Sequence, residues 1–304
     1  MGTSPLSLNI LLNGDQDVIV RLGDTLNYTL NYVNNIDIGL RDVIISAQLV
    51  GEMFDLSTLI TDGFLRSFDK TIIWNVANTP SLAVVSPGAS GKIEFQIDAK
   101  DLYSIKRLND KNFILKINAT IESPTVPQFV AAAKTISITS QEAKVAGQAT
   151  IDAKAFFRDA SSGIVNKGSW PLKVGEATNF TIHWLITNYG TDIKNIEVKS
   201  FLGGNIRFTG EVKSNTATIP TYNERTQEVV WTIDSISAGS GVLSRPLEAI
   251  FQVEATPSVS DIGKYMTLLQ GTQFKATDDF TGLEMQASDM SLTTGLKDDP
   301  TVTS

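Results

Sequence analysis

The sequence contains no cysteine and a single histidine, His183. The lack of cysteine excludes disulfide bonds, thiolate zinc sites and cysteine nucleophiles. One histidine rules out a multi-histidine metal site and leaves a Ser-His-Asp triad with one candidate base. His183 follows Asn179 and Thr181 on the polar side of a predicted strand. We therefore expect it to be exposed and not catalytic.

Basic charge and long apolar runs are also scarce. Lys and Arg total 25 against 33 Asp and Glu, a net charge of −8, which argues against a nucleic-acid partner. No apolar run approaches the roughly 18 residues that span a membrane, so no direct membrane insertion is expected. The first residues lack a signal peptide's basic start. We expect the secretion signal and anchor to lie outside this sequence.

Catalytic motifs are missing as well. There is no Gly-x-Ser-x-Gly elbow, and Gly91-Lys92 precedes Ile93 instead of the Ser or Thr of a phosphate-binding loop. Paired carboxylates for sugar hydrolysis meet in space, so the sequence leaves them open. We therefore predict that the protein is not an enzyme.

What the chain does contain is a repeat of about 150 residues. The segment 23–32 matches 175–184 at an offset of 152. Four further blocks keep their order at offsets of 153 to 157: 42–45 with 195–198, 73–76 with 230–233, 95–99 with 251–255, and Ile136 and Ile138 with Met290 and Leu292. Collinear matches with small drift indicate a duplicated module whose insertions fall in loops.

The repeated blocks alternate between apolar and polar residues. In the segment 25–32, Leu26, Tyr28 and Leu30 alternate with polar residues, which predicts a half-buried strand. Several such strands per copy, separated by turns, predict an all-β chain of two tandem Ig-like antiparallel β-sandwich domains. The predicted core aromatics are Tyr28, Trp74, Phe95, Phe180, Trp231 and Phe251. The predicted boundaries are 1–142, 146–297 and a linker, 298–304, to a further module.

The pattern resembles DUF11 and CARDB-type Ig-like repeats of prokaryotic cell-surface proteins. The residues that carry the resemblance in the first copy are Gly23, Tyr28, Asn34, Val43, Trp74, Pro87-Gly88 and Phe95. In the second copy they are Gly175, Phe180, Asn188, Ile196, Trp231, Ala238-Gly239 and Phe251. The resemblance implies tandem extracellular modules of stalks, surface layers or adhesins, and it carries over no catalytic residue.

One turn offers candidate calcium ligands. Asn13, Asp15 and Asp17 place oxygens at alternate positions, like the start of an EF-hand loop. The acidic pairs Asp278-Asp279 and Asp298-Asp299 are further candidates. A turn between strands explains the same residues without a metal. Calcium is the one cofactor that the sequence suggests.

Three Asn-x-Thr sequons are candidate glycosylation sites: Asn27, Asn118 and Asn179. Asn27 and Asn179 occupy equivalent positions on predicted outward faces, where a glycan fits. The alternative is that strands favour threonine and that duplication copied one sequon.

The predicted function is a non-catalytic spacer or assembly module at the cell surface. Its predicted partners are neighbouring modules of the same or identical chains, joined through sheet edges and end-to-end contacts. An alternative is an adhesin module that holds a glycan or a surface protein through loop aromatics. The candidates are Phe64, Phe68, Trp170 and Tyr222. Another is an accessory domain of a surface enzyme.

Overall fold

The computed structural model describes residues 5–128 and 131–302. These residues form strands and turns with two short 3₁₀ helices, Pro80–Ala83 and Val259–Asp261. No helix in this part of the chain is long and apolar enough to cross a membrane. The first of two compact units contains the residues up to Ser104 together with Asn112–Ala146. The second contains Ile105–Lys111 and the residues from Gly147 onward.

The first unit has twelve strands in the described residues. They are β1 (Leu6–Leu12), β2 (Ile19–Val20), β3 (Thr25–Asn34), β4 (Leu40–Arg41), β5 (Ile44–Val50), β6 (Phe54–Thr61), β7 (Phe64–Arg66), β8 (Thr71–Trp74), β9 (Val84–Val85), β10 (Ser90–Ala99), β11 (Ile114–Ser123) and β12 (Thr135–Val145). One sheet has the order β1-β3-β10-β6 and the other β2-β12-β11-β5-β8-β7, while β4 pairs with β9.

The second unit repeats this arrangement. Its strands are β13 (Ala149–Phe156), β14 (Thr178–Asn188), β15 (Ile193–Phe201), β16 (Ile206–Ser214), β17 (Thr221–Asn223), β18 (Glu228–Ile236), β19 (Leu247–Ala255), β20 (Thr267–Leu269), β21 (Thr272–Asp278), β22 (Glu284–Asp289) and β23 (Leu292–Thr293). The sheets have the orders β13-β14-β19-β16 and β17-β18-β15-β21-β22, and β20 pairs with β23. The prediction of two tandem Ig-like β-sandwiches is confirmed.

Each unit buries the inward faces of both sheets around aromatic side chains. The Tyr28 ring stacks on Phe95 with centroids 5.0 Å apart, and Trp74 lies 5.8 Å from Phe95. In the second core, the centroid of Phe251 lies 5.0 Å from that of Trp184. All six aromatics named as core candidates lie inside, and Phe95 is the most exposed of them at 4 %.

Asn34 and Asn188 are the last residues of the equivalent strands β3 and β14, and both side chains are buried. Each Nδ2 donates to three backbone carbonyls around it. This shared contact shows how the two copies align in the structure. Their offset is 188 − 34 = 154. It aligns Tyr28 with Ile182, two residues from the predicted match, Phe180. A two-residue shift keeps every side chain on its face of the sheet, so alternation alone does not detect it.

The structure differs from the predicted boundaries at the end of the first module and at the end of the second. β12 continues to Val145 because Ala143 and Val145 are buried in the first core. The stretch 298–302, predicted as a linker, packs onto the second unit, where Asp299 is fully buried. Residues 303 and 304 lie outside the described residues.

Tyr28 provides a test of the first core. Its hydroxyl is buried, has no hydrogen-bond partner among the described residues, and burial raises the pKa of Tyr28. We expect Tyr28→Phe to increase the free energy of unfolding of the first unit by about 1 kcal/mol, because an unsatisfied polar group leaves the core. Tyr28→Ala should lower it by about 3–5 kcal/mol through loss of the ring. Urea denaturation followed by circular dichroism measures both, and a destabilised Tyr28→Phe would contradict this account.

Candidate functional site

Three aspartates near the C-terminus bind the first strand of the second unit. Asp278 Oδ2 accepts the Gly147 N–H at 2.8 Å, and Asp289 Oδ2 accepts the Ala153 N–H at 2.7 Å. Asp299 Oδ2 accepts the N–H groups of residues 157 and 158 at 2.9 and 3.0 Å. We call Asp278, Asp289 and Asp299 the carboxylate tie.

The position of β13 explains why it needs these acceptors. β13 is an edge strand that pairs with β14 along one side only. Backbone N–H groups on its other side lack a strand partner, and an unpaired buried N–H is costly. The carboxylates supply the acceptors that a neighbouring strand otherwise provides.

All three aspartates divide their two oxygens in the same way. One oxygen accepts N–H groups just after the aspartate itself: those of Phe280 and Thr281 for Asp278, of Met290 for Asp289, and of Thr301 for Asp299. The other oxygen reaches β13 or its ends. Each aspartate therefore caps its own turn and holds the first strand at once.

The tie is a set of charge-assisted hydrogen bonds in a water-poor setting. Asp278 and Asp299 are fully buried. Burial opposes the ionisation of Asp299, but hydrogen bonds from Thr301, Arg158 and Phe157 outweigh it and hold its pKa below its usual range. Bonds of this kind contribute about 1.5–3 kcal/mol each.

The first unit attaches its N-terminal segment through backbone groups instead. β2 pairs in parallel with β12, and the Ala146 N–H donates to the Val20 carbonyl at 2.8 Å. Val20 is fully buried. In each unit, the last part of that unit contacts a segment near its start.

His183 is buried, so the prediction that it is exposed was wrong. Its Nδ1 lies 2.7 Å from Glu248 Oε1, and its Nε2 lies 2.7 Å from Asp159 Oδ2. Both ring nitrogens therefore face carboxylate oxygens. His183 alternates with polar residues as predicted for an outward face, but the loop that contains Asp159 covers that face.

The pKa of Asp159 is shifted by its surroundings. Burial opposes its ionisation, yet hydrogen bonds from His183, Thr181 and Ser161 lower its pKa to about 2. The Asp159 side chain is 3 % exposed. The cluster therefore fixes the loop after β13 to the outer face of β14.

The calcium candidates lie in the turn after β1, where their oxygens already accept hydrogen bonds. Asn13 Oδ1 accepts the Asn27 N–H at 2.9 Å, and Asp15 Oδ1 accepts N–H groups from Gln16 and Asp17. No group of three or more His, Cys, Asp or Glu side chains in residues 5–128 and 131–302 is placed to hold a metal. Calcium binding stays a prediction.

The sequons occupy strands. Asn27 is exposed, whereas Asn118 and Asn179 are half-buried. The Asn179 Nδ2 donates to Glu254 Oε2 at 3.2 Å. Glycosylation at these asparagines also stays a prediction.

The four loop aromatics do not share one environment. Phe64 and Phe68 are 66 % and 85 % exposed. Tyr222 stacks on Phe208 with centroids 4.9 Å apart, and Trp170 stacks on Phe157 at 5.8 Å, so both are half-buried.

Trp170 lines a groove of about 540 Å³ in the second unit, which we call the Trp170 groove. Its apolar lining includes Leu172, Val174, Ile262 and Tyr265. The Tyr265 side chain is 76 % exposed. Its distance along the chain from Trp170 kept it out of the sequence-based candidates.

No protein-family profile matches the chain, and no curated protein matches it. Among solved structures, it is similar to the C-terminal domain of the Streptococcus pyogenes antigen I/II-family protein AspA. The TM-score is 0.38 and the identity 10%, over 96% of this chain and 100% of that one. The full-length major pilin SpaD from Corynebacterium diphtheriae gives 0.31 and 11%, over 84% and 61%. AvmM, which catalyses macrocyclization in alchivemycin A biosynthesis, gives 0.29 and 8%, over 47% and 89%. Scores this low establish neither a family nor a function.

The carboxylate tie predicts a pH-dependent stability of the second unit. We expect Asp299→Ala to lower its free energy of unfolding by about 2–4 kcal/mol at pH 7, because buried N–H groups lose their acceptor. Since the pKa of Asp299 is lowered in the folded state, its contribution is full above the unfolded pKa of about 3.9 and disappears as the pH falls through the folded pKa.

Chemical denaturation at a series of pH values measures this difference. The control is Asp234→Ala, at an exposed aspartate on β18, which should change stability by less than about 0.5 kcal/mol. Equal effects of the two variants at pH 7 would refute a stabilising role for the tie.

Proposed function

We propose that the chain is a non-catalytic structural module, a spacer or assembly unit of a prokaryotic cell-surface protein. The carboxylate tie carries this proposal. It fixes the first strand of the second unit to the last part of the same unit at three separate points. A module that transmits force needs strong attachment between the segments through which its neighbours pull.

The first unit supports the same function by a different contact. Force on its ends acts on β1 and then on β2 from the N-terminal side, and on β12 from the C-terminal side. Because β2 and β12 run parallel, the hydrogen bonds between them are loaded together in shear.

The surroundings of His183 support a non-catalytic role. Both ring nitrogens contact carboxylate oxygens at 2.7 Å, so each already has a partner within the chain. By this proposal the chain works outside the cell, next to modules of the same or identical chains.

The proposal is tested by pulling single molecules from both ends. We expect two unfolding events, each releasing about 45–50 nm, since an extended residue spans about 3.3–3.6 Å. The double variant Asp289→Ala/Asp299→Ala should lower the unfolding force of one event only and raise that unit's unfolding rate at least about tenfold, equivalent to about 1.4 kcal/mol. The other unit serves as the internal reference.

Two results would contradict a force-transmitting role. One is unfolding of both units at forces no higher than the force that extends an unfolded chain. The other is an unfolding force that the double variant leaves at the value of the Asp234→Ala control.

The Trp170 groove favours a second candidate function, a module that binds a glycan. Its volume suits a small ligand, and exposed aromatic and apolar groups line it. On a glycan array, we expect binding that Tyr265→Ala weakens at least about tenfold and Phe68→Ala leaves unchanged, because loss of a stacking platform costs over 1 kcal/mol. If the unmodified chain binds no glycan on the array, this candidate function is excluded.

A further inference from the structure

One edge of the first unit has no neighbouring strand over most of its length. β12 pairs with β11 from Thr135 to Lys144 on one side. On the other side, β2 pairs only with Lys144 and Val145. In the parts of the chain that the structure describes, no strand pairs with this side between residues 135 and 143.

The hydrogen bonds around Val145 show which backbone groups point outward. The Val145 N–H donates to the Phe113 carbonyl, so odd-numbered residues of β12 face β11. The Ala146 N–H points the opposite way and donates to the Val20 carbonyl. Backbone direction alternates along a strand, so Ile136, Ile138 and Ser140 present their N–H and C=O groups at the open edge.

The same residues expose apolar side chains. Ile138 is 71 % exposed and Ile136 is 43 % exposed. Protein edges are usually protected by charges, prolines or bulges. The equivalent edge strand of the second unit, β22, carries Glu284, Gln286 and Ser288 on its alternating positions. The apolar edge is thus specific to the first unit.

The sequence of this edge is complementary to itself. In an antiparallel pair of two β12 strands centred on Ile138, Ile138 lies opposite Ile138 of the other copy. Ile136 then lies opposite Ser140, and Lys134 lies opposite Glu142. The last pair brings opposite charges together at both ends of the contact. Both residues are exposed, and each also forms a salt bridge within its own chain, Lys134 with Glu122 and Glu142 with Lys116. Ile136, Ile138 and Ser140 of each copy present backbone groups outward, so this register forms about six hydrogen bonds.

We propose that β12 binds β12 of a second copy of this chain, antiparallel and across a two-fold axis at Ile138. The contact joins two six-stranded sheets into one and places the exposed isoleucines of both copies side by side on one face. This inference rests on the proposed function as an assembly unit and names the partner of that unit.

Sedimentation velocity of the full chain over a concentration series tests this proposal. We expect a monomer–dimer equilibrium. Lys134→Glu or Glu142→Lys alone places like charges opposite each other at both ends, so each should raise the dissociation constant at least about tenfold. An equimolar mixture of the two variants should associate again, since every facing pair in the mixed dimer is opposite in charge.

A backbone variant tests the edge itself. Ile138→Pro removes an outward N–H and leaves the ladder to β11 intact, so the dimer should be lost while the β-sheet circular dichroism remains. Ile138→Val, which keeps the N–H and an apolar side chain, is the matched control and should still dimerise. If Ile138→Pro does not fold, the charge mixture remains the deciding measurement.

Three outcomes would overturn the proposal. These are a chain that stays monomeric up to several hundred micromolar, a dimer insensitive to the single charge reversals, and variants whose mixture fails to associate. Pulling experiments use isolated molecules, so a monomeric chain that resists force would refute the dimer and leave the spacer function standing.

Discussion

An edge strand of a β-sandwich has backbone N–H groups that must find acceptors, and the structure of the second unit depends on how β13 finds them. Asp278, Asp289 and Asp299 accept N–H groups of residues 147, 153, 157 and 158. Each aspartate stands where a turn begins, so one side chain serves two segments. The last part of the second unit is therefore needed to complete its first strand, which explains why residues 298–302 pack onto this unit.

The two units attach a segment near their start to their last part by different chemistry. The first uses a parallel pair of strands, whose backbone hydrogen bonds do not titrate. The second uses carboxylates, and the pKa of one of them, Asp299, is held below its usual range, so acid that protonates Asp299 should weaken this unit. The His183 cluster adds a further carboxylate-dependent contact to the same unit, since Asp159 holds the loop after β13 against β14. Duplication preserved the sheet order while the contacts at the edges diverged.

The sequence predicts the fold well because period-two alternation is a local signal. Strand type, inward faces and the duplication all follow from it. Alternation does not reveal register, which is why Phe180 was matched to Tyr28 in place of Ile182. The contacts of His183 depend on Asp159 and on Glu248, 65 residues away, and no local pattern joins them. Asp278 and Asp299 stood out only as acidic pairs, because their acceptor role depends on a strand more than 130 residues earlier.

Amide hydrogen exchange at residues 147, 153, 157 and 158 tests the central claim most directly. If the carboxylate tie holds the first strand, these four amides exchange as slowly as the amides that pair β13 with β14. In Asp299→Ala, protection should then fall at residues 157 and 158 and persist at residue 153. Rapid exchange of all four amides in the unmodified chain, beside a protected β13–β14 ladder, would contradict the account.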